Sequence, residues 1–140
     1  MIKSVTLGEE IVITTKNKVG LLADIAQMLA NEGVNIEAAL GYETGATARL
    51  MLVTNANIRI ISELRKRKKY KSVKETEVVM VELENKPGAL KVVTTELAKA
   101  KVDIKYLYVT PPSAASGSSR MVLQTSDNEA AMALLSKYTS

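Results

Sequence analysis

Asn17-Lys18-Val19-Gly20-Leu21-Leu22 is echoed 68 residues later by Asn85-Lys86-Pro87-Gly88-Ala89-Leu90. The same offset lays Leu29-Ala30 on Leu97-Ala98, Val34 and Ile36 on Val102 and Ile104, Lys3-Ser4-Val5 on Lys71-Ser72-Val73, and Glu9 on Glu77. Residues 1–36 thus show 12 identities with their shifted partners, where chance gives about two, and such self-similarity is the mark of an internal repeat. Past Ile104 the offset becomes 71, matching Arg49 to Arg120, Leu52 to Leu123, Asn57 to Asn128 and Leu64 to Leu135. Three extra residues therefore sit in the second copy.

Each copy reads as strand, helix, strand, strand, helix. In the first, Glu9 to Thr15 is rich in β-branched residues and ends in a polar turn, as strands do. Leu21, Leu22, Ile25, Met28 and Leu29 recur at helical spacing, one apolar stripe for a sheet to cover. Gly33 ends that helix, and Val34, Ile36, Ala38 and Leu40 alternate with more polar neighbours as in a half-buried strand. Gly41 to Gly45 is expected as the hairpin, Leu50 to Val53 as the returning strand, and Asn55 or Asn57 as the cap of a helix bearing Ile60, Ile61 and Leu64. The second copy offers Val78 to Leu83, a helix through Leu90, Val93 and Leu97, then Val102, Ile104, Tyr106 and Tyr108 alternating. Its hairpin, Thr110 to Ser119, is longer and made of Pro, Ser, Ala and Gly, a hairpin tip with the alternative of a lid. Met121 to Leu123 returns, and Asp127 or Asn128 caps a last helix through Ala131, Leu134, Leu135 and Tyr138.

This order predicts an α+β fold: two ferredoxin-like βαββαβ domains, with antiparallel sheets and helices on one face. Each needs a fourth strand. Tyr70 to Glu75 supplies it for the first copy, and no sequence follows the last helix of the second, so Ile2 to Leu7, equated by the offset with that segment, is expected to complete the second sheet. The expected domains are 8–76, and 77–140 plus 1–7.

The 140 residues include 46% apolar residues, sufficient for a core. There is no Cys and no His, which removes the usual ligands of zinc, haem and iron–sulfur sites. It also removes a Cys nucleophile and a His base. No cofactor is expected, and the chain is read as not an enzyme. The net charge of +4 resides in Arg65-Lys66-Arg67-Lys68-Lys69, without which the balance is −1. A helix end is favoured by such cations; a nucleic-acid-binding face is the alternative, and it would want stacking aromatics, but Phe and Trp are absent. Tyr106 and Tyr108 share a strand face. Glu9, Glu10, Glu82 and Glu84 are expected to face solvent from strand edges. No apolar stretch has the length of a signal peptide or a membrane span, so a cytoplasmic protein without membrane contact is expected.

Gly20 and Gly88 lie where a strand turns into a helix. Free backbone N–H groups and the positive end of the helix dipole face outward there, and a residue without Cβ lets a carboxylate come close. Lys18 and Lys86 add positive charge. Asn35 carries both donors and acceptors, whereas ionised Asp103 accepts only.

The Asn-Lys-x-Gly turn with its following Leu, together with Val34-Asn35-Ile36, resembles the ACT domain, a small amino-acid-sensing regulatory module. Val19 stands where the family commonly has Pro, and Asp103 where it usually has Asn; the two copies are therefore not expected to be equivalent. The resemblance implies a stand-alone tandem sensor whose ligand residues are Asn17, Lys18, Val19, Gly20, Leu21, Leu22, Asn35 and Ile36 in the first copy. In the second they are Asn85, Lys86, Pro87, Gly88, Ala89, Leu90, Asp103 and Ile104. It also implies a ligand between paired domains, within the chain or across a homodimer, and output through a regulated enzyme or another protein. A ferredoxin-like nucleic-acid-binding module using residues 65–69 is the alternative function.

Overall fold

The computed structural model describes residues 1–112 and 114–139. In chain order its elements are β1 (Ile2–Lys16), α1 (Leu21–Asn31), β2 (Ile36–Thr44), β3 (Thr47–Thr54), α2 (Asn57–Lys66), β4 (Ser72–Glu84), α3 (Ala89–Lys99), β5 (Ile104–Val109), β6 (Ser118–Thr125) and α4 (Asn128–Ser136). The chain divides into two compact units, Glu9–Thr76, and Met1–Gly8 with Glu77–Ser140.

In the 9–76 unit the strand order is β2-β3-β1-β4, with β1 and β2 each antiparallel to β3. One sheet face, carrying Ile11, Ile13, Leu50, Leu52 and Val73, packs against Ile25, Met28 and Leu29 of α1 and Ile60, Ile61 and Leu64 of α2. The alternation of strand side chains and the 3.6-residue repeat of the helices put these residues on facing surfaces. Full burial of each such aliphatic side chain contributes about 1.5–3 kcal/mol.

The unit built on residues 77–139 with 1–8 repeats the plan, in the order β1-β4-β6-β5. Ile2, Val79, Val81, Met121 and Leu123 pack against Val93 and Leu97 of α3 and Ala131 and Leu135 of α4. An isolated parallel bridge joins Ile2 to Thr139. Both units are thus α+β and ferredoxin-like.

Several local expectations are corrected. The segments read as separate strands on either side of Gly8 form one strand, β1, and those on either side of Glu77 form β4. Nothing between them breaks a strand, because Gly8 is not among the glycines of positive φ. The first hairpin is shorter than Gly41 to Gly45: β2 runs to Thr44 and pairs Thr44 with Thr47, leaving Gly45 at φ 60 and Ala46 as the turn. A two-residue hairpin needs left-handed backbone, which glycine adopts without penalty. In the second hairpin the strands end at Val109 and begin again at Ser118; Ser113, part of the expected tip, lies outside the described residues.

Asp127 does cap α4, accepting from Ala130 N–H, but neither Asn55 nor Asn57 caps α2. Asn57 Oδ1 instead accepts from the backbone N–H and hydroxyl of Thr54 at 3.0 and 2.7 Å, while its Nδ2 donates to Glu9 C=O at 2.9 Å. Asn128 repeats all of this with Thr125 and Glu77. The duplicated asparagines are staples between the second helix of each unit and its first strand. The acids also depart from expectation: Glu10 is fully buried, and Glu82 accepts from Ser118 at 2.7 Å and Ser4 at 3.5 Å.

Candidate functional site

In the 9–76 unit, β1 ends at Lys16 and Asn17 N–H donates to Ala46 C=O at 2.8 Å, tying the turn to the β2–β3 hairpin. The Asn17 side-chain amide donates to the Glu43 carboxylate. Lys18 C=O accepts from Leu21 N–H at 3.3 Å, which closes the turn. Gly20, the N-cap of α1, has φ 87 and ψ −1, a left-handed conformation that side chains other than Gly adopt at a cost. A Cβ placed there would meet no atom within 4 Å. No side chain caps α1; of the first-turn amides, which have no partner inside the helix, Leu21 N–H is taken by Lys18 C=O, leaving those of Leu22 and Ala23. Val19 is fully exposed and Leu22 half exposed, an apolar lip, while Leu21 packs on the core.

The second turn has the same backbone and a different occupancy. Asn85 N–H donates to Gly117 C=O at 3.3 Å, and Gly88 N-caps α3 at φ 90, again with no capping side chain. Here, however, Met1 lies alongside: its C=O accepts from Glu84 N–H at 2.8 Å, and its methyl would be 3.7 Å from a Cβ on Gly88. Lys86 is engaged too, with Nζ 2.7 Å from Glu84 Oε2. The Lys86 ammonium, as hydrogen-bond donor and as charge, holds the Glu84 carboxyl below the usual carboxylate range, and Glu84 in turn raises Lys86. Pro87 and Leu90 are exposed and Ala89 is buried.

The structure separates these turns from the other expected ligand residues. Asn35 and Ile36 stand at the start of β2, and the Asn17 turn stands beside its hairpin end. Nine residues of strand put about 27 Å between those ends, and the eleven of α1 span about 16 Å. Asp103 is likewise remote from Gly88, with its backbone exchanging bonds with Ser126 at 2.9 and 3.0 Å, and Ile104 pairs with Thr125. Within a unit, turn and second-strand residues do not share one site.

The basic run is divided by the end of α2. Arg65 donates to Val73 C=O at 3.2 and 2.8 Å, and Lys66 pairs with Glu63 at 3.0 Å. Lys68 has φ 55 and turns the chain. Lys68, Lys69, Tyr70 and Lys71 then join Thr15, Lys16, Lys18, Leu21 and Asp24 around a cleft of about 500 Å³. Lys69 lies 5.6 Å from the Tyr70 ring centre. No sequence spacing indicates that residues 15–24 and 68–71 share a cleft; only the tertiary fold brings them together. Among the described residues no group of His, Cys, Asp and Glu could hold a metal ion, and no helix is long and apolar enough to cross a membrane.

No curated protein matches the sequence. Among solved structures the chain is similar to a protein from Bacteroides thetaiotaomicron at 23% identity and TM-score 0.85, covering 96% of this chain and 90% of that one. It is also similar to the regulatory subunit of aspartate kinase from Thermus thermophilus, at 12% identity and TM-score 0.67 over 100% of both chains. The corresponding subunit from Thermus flavus matches at 14% identity and TM-score 0.59, over 97% of each chain. At these identities the likeness is one of fold. The family model of the ACT domain matches residues 10–75. Residues 10–75 thus carry the ACT-domain pattern, and the element order repeats in the second half, so the chain is consistent with tandem ACT-like domains.

Proposed function

We propose that this protein is a non-catalytic regulatory module that binds a small amino acid at the Asn17–Leu22 turn. The observation that carries the reading is the open left-handed Gly20, with no capping side chain on α1 and no atom within 4 Å of the position a Cβ would take. A ligand carboxylate set there accepts from the Leu22 and Ala23 amides of α1 and is favoured by the helix dipole. Lys18 lies beside it, and Val19 and Leu22 offer apolar contact to the ligand side chain. The Gly88 turn is the weaker candidate, since Met1 and the Lys86–Glu84 pair already occupy its surroundings.

Asn35 and Ile36, remote from the turn of their own unit, reach such a ligand from a second copy of the chain, in a homodimer. Regulation of a partner enzyme is supported by the ACT domain and by the fold shared with the regulatory subunits of aspartate kinase. Coupling of this kind is typically worth about 1–3 kcal/mol.

Thermal denaturation with each of the twenty amino acids tests the reading. The amino acid that binds, at about a hundred times its dissociation constant, stabilises the chain by about 2.7 kcal/mol. No stabilisation by any of them, and no heat of binding by calorimetry, overturns it.

A further inference from the structure

The cleft beside α1 gathers positive charge. Five of its nine lining residues are lysines, Lys16, Lys18, Lys68, Lys69 and Lys71, against the single carboxylate of Asp24. Elsewhere Lys66, Lys86 and Lys99 each pair with a glutamate close by in sequence. Among the described residues, neither the five cleft lysines nor Asp24 enters an ion pair. Like charges around a concave surface repel one another and concentrate a positive field in the concavity. An anion of high charge relieves that repulsion.

We propose that this cleft binds a phosphate-bearing small molecule with two or more negative charges. Two of the stretches that line it, 15–18 and 68–71, bring lysines to one cleft from segments far apart in sequence, so that several ammonium groups can reach one ligand. Tyr70, half-buried, and Leu21, packed against the core, supply an apolar wall for the uncharged body of such a molecule. A nucleic-acid strand is a poorer fit. It needs cations spaced along a track, whereas the run stops short on the helix side, with Arg65 tied to Val73 C=O and Lys66 to Glu63. The proposal is independent of the amino-acid reading, for only Lys18 and Leu21 belong to both places.

Titration of the whole protein with inorganic tripolyphosphate, followed by calorimetry at low ionic strength, tests it. Saturable binding at one site per chain is expected, weakening as ionic strength rises from about 0.02 to 0.2 M. Lys68→Ala with Lys69→Ala should weaken it about tenfold or more, because two of the five cations are lost. Lys91→Ala with Lys137→Ala, which removes two exposed lysines outside the cleft, should change it less than about twofold. Circular dichroism melts establish that each variant is folded, and Lys71→Gln serves as a second, milder variant expected to weaken binding in the same direction. Absence of saturable binding at low ionic strength overturns the proposal, as does equal weakening by the two double variants. A single-stranded oligonucleotide that binds more tightly than tripolyphosphate, with affinity growing with its length, also overturns it. Amino-acid affinity in the Lys68/Lys69 variant stays unchanged if the two sites are separate, so failure of either reading is seen independently of the other.

Discussion

Gly20→Ala separates the stability of the first turn from its use. Its backbone, at φ 87 and ψ −1, stays left-handed after substitution, which costs an L-residue about 1–2 kcal/mol. No further penalty arises, because the new methyl meets no atom within 4 Å. In a domain stable by about 5–15 kcal/mol the variant remains folded, with its melting temperature lower by about 3–8 °C. The methyl does, however, stand where a ligand carboxylate approaches the amides of α1, and loss of a charged hydrogen bond is worth about 1.5–3 kcal/mol, or tenfold or more in affinity. Gly88→Ala is the internal control. Its φ of 90 imposes the same backbone cost, its methyl makes an ordinary 3.7 Å contact with Met1, and no ligand affinity should change. Urea denaturation and calorimetry with the amino acid identified by thermal screening measure both quantities. A stability loss above about 4 kcal/mol would mean that the turn is packed rather than open, and unchanged affinity would refute the assigned site.

Other perturbations address the frame that holds the turn. Asn128→Ala removes acceptors from Thr125 N–H and hydroxyl and a donor from Glu77 C=O. Urea denaturation should show a loss of about 2–4 kcal/mol, as should Asn57→Ala, and a loss below about 0.5 kcal/mol for both would count against the staples. Ile25→Ala, in the core beneath α1, should cost about 2–5 kcal/mol in the same assay; a negligible change would contradict the packing described. Glu82 is held below the usual carboxylate range, chiefly by the Ser118 hydroxyl, so Ser118→Ala should raise its pKa in an NMR titration, and no movement would disprove that cause. Glu82, Glu84 and Glu96 are all lowered. Their contribution is therefore present above the unfolded-state value of 4.5 and lost as pH falls through the folded values. Glu9, raised by burial and then by Glu75, works in the opposite direction: its protonation on acidification relieves an unfavourable charge. Melting temperatures followed below pH 5 should decline, with the decline reduced in Ser118→Ala.

The duplication, the order of strands and helices and the two glycine turns were all legible in the chain itself. Period-two and period-3.6 spacing of apolar residues is a local property, and a repeat in sequence is a repeat in those spacings. The offset of 71 even paired Asn57 with Asn128, although capping, the local use of asparagine, was the wrong one for Asn57; its partners, Thr54 and Glu9, include a strand distant in sequence. What the tertiary structure alone decided is which neighbours each motif acquires. Asn35 is separated from Gly20 by the length of a helix, Met1 arrives beside Gly88 and leaves Gly20 open, and residues 68–71 close around the end of β1 to make a cleft. Turns of like backbone become unlike sites because occupancy depends on groups remote along the chain, and no local spacing encodes them.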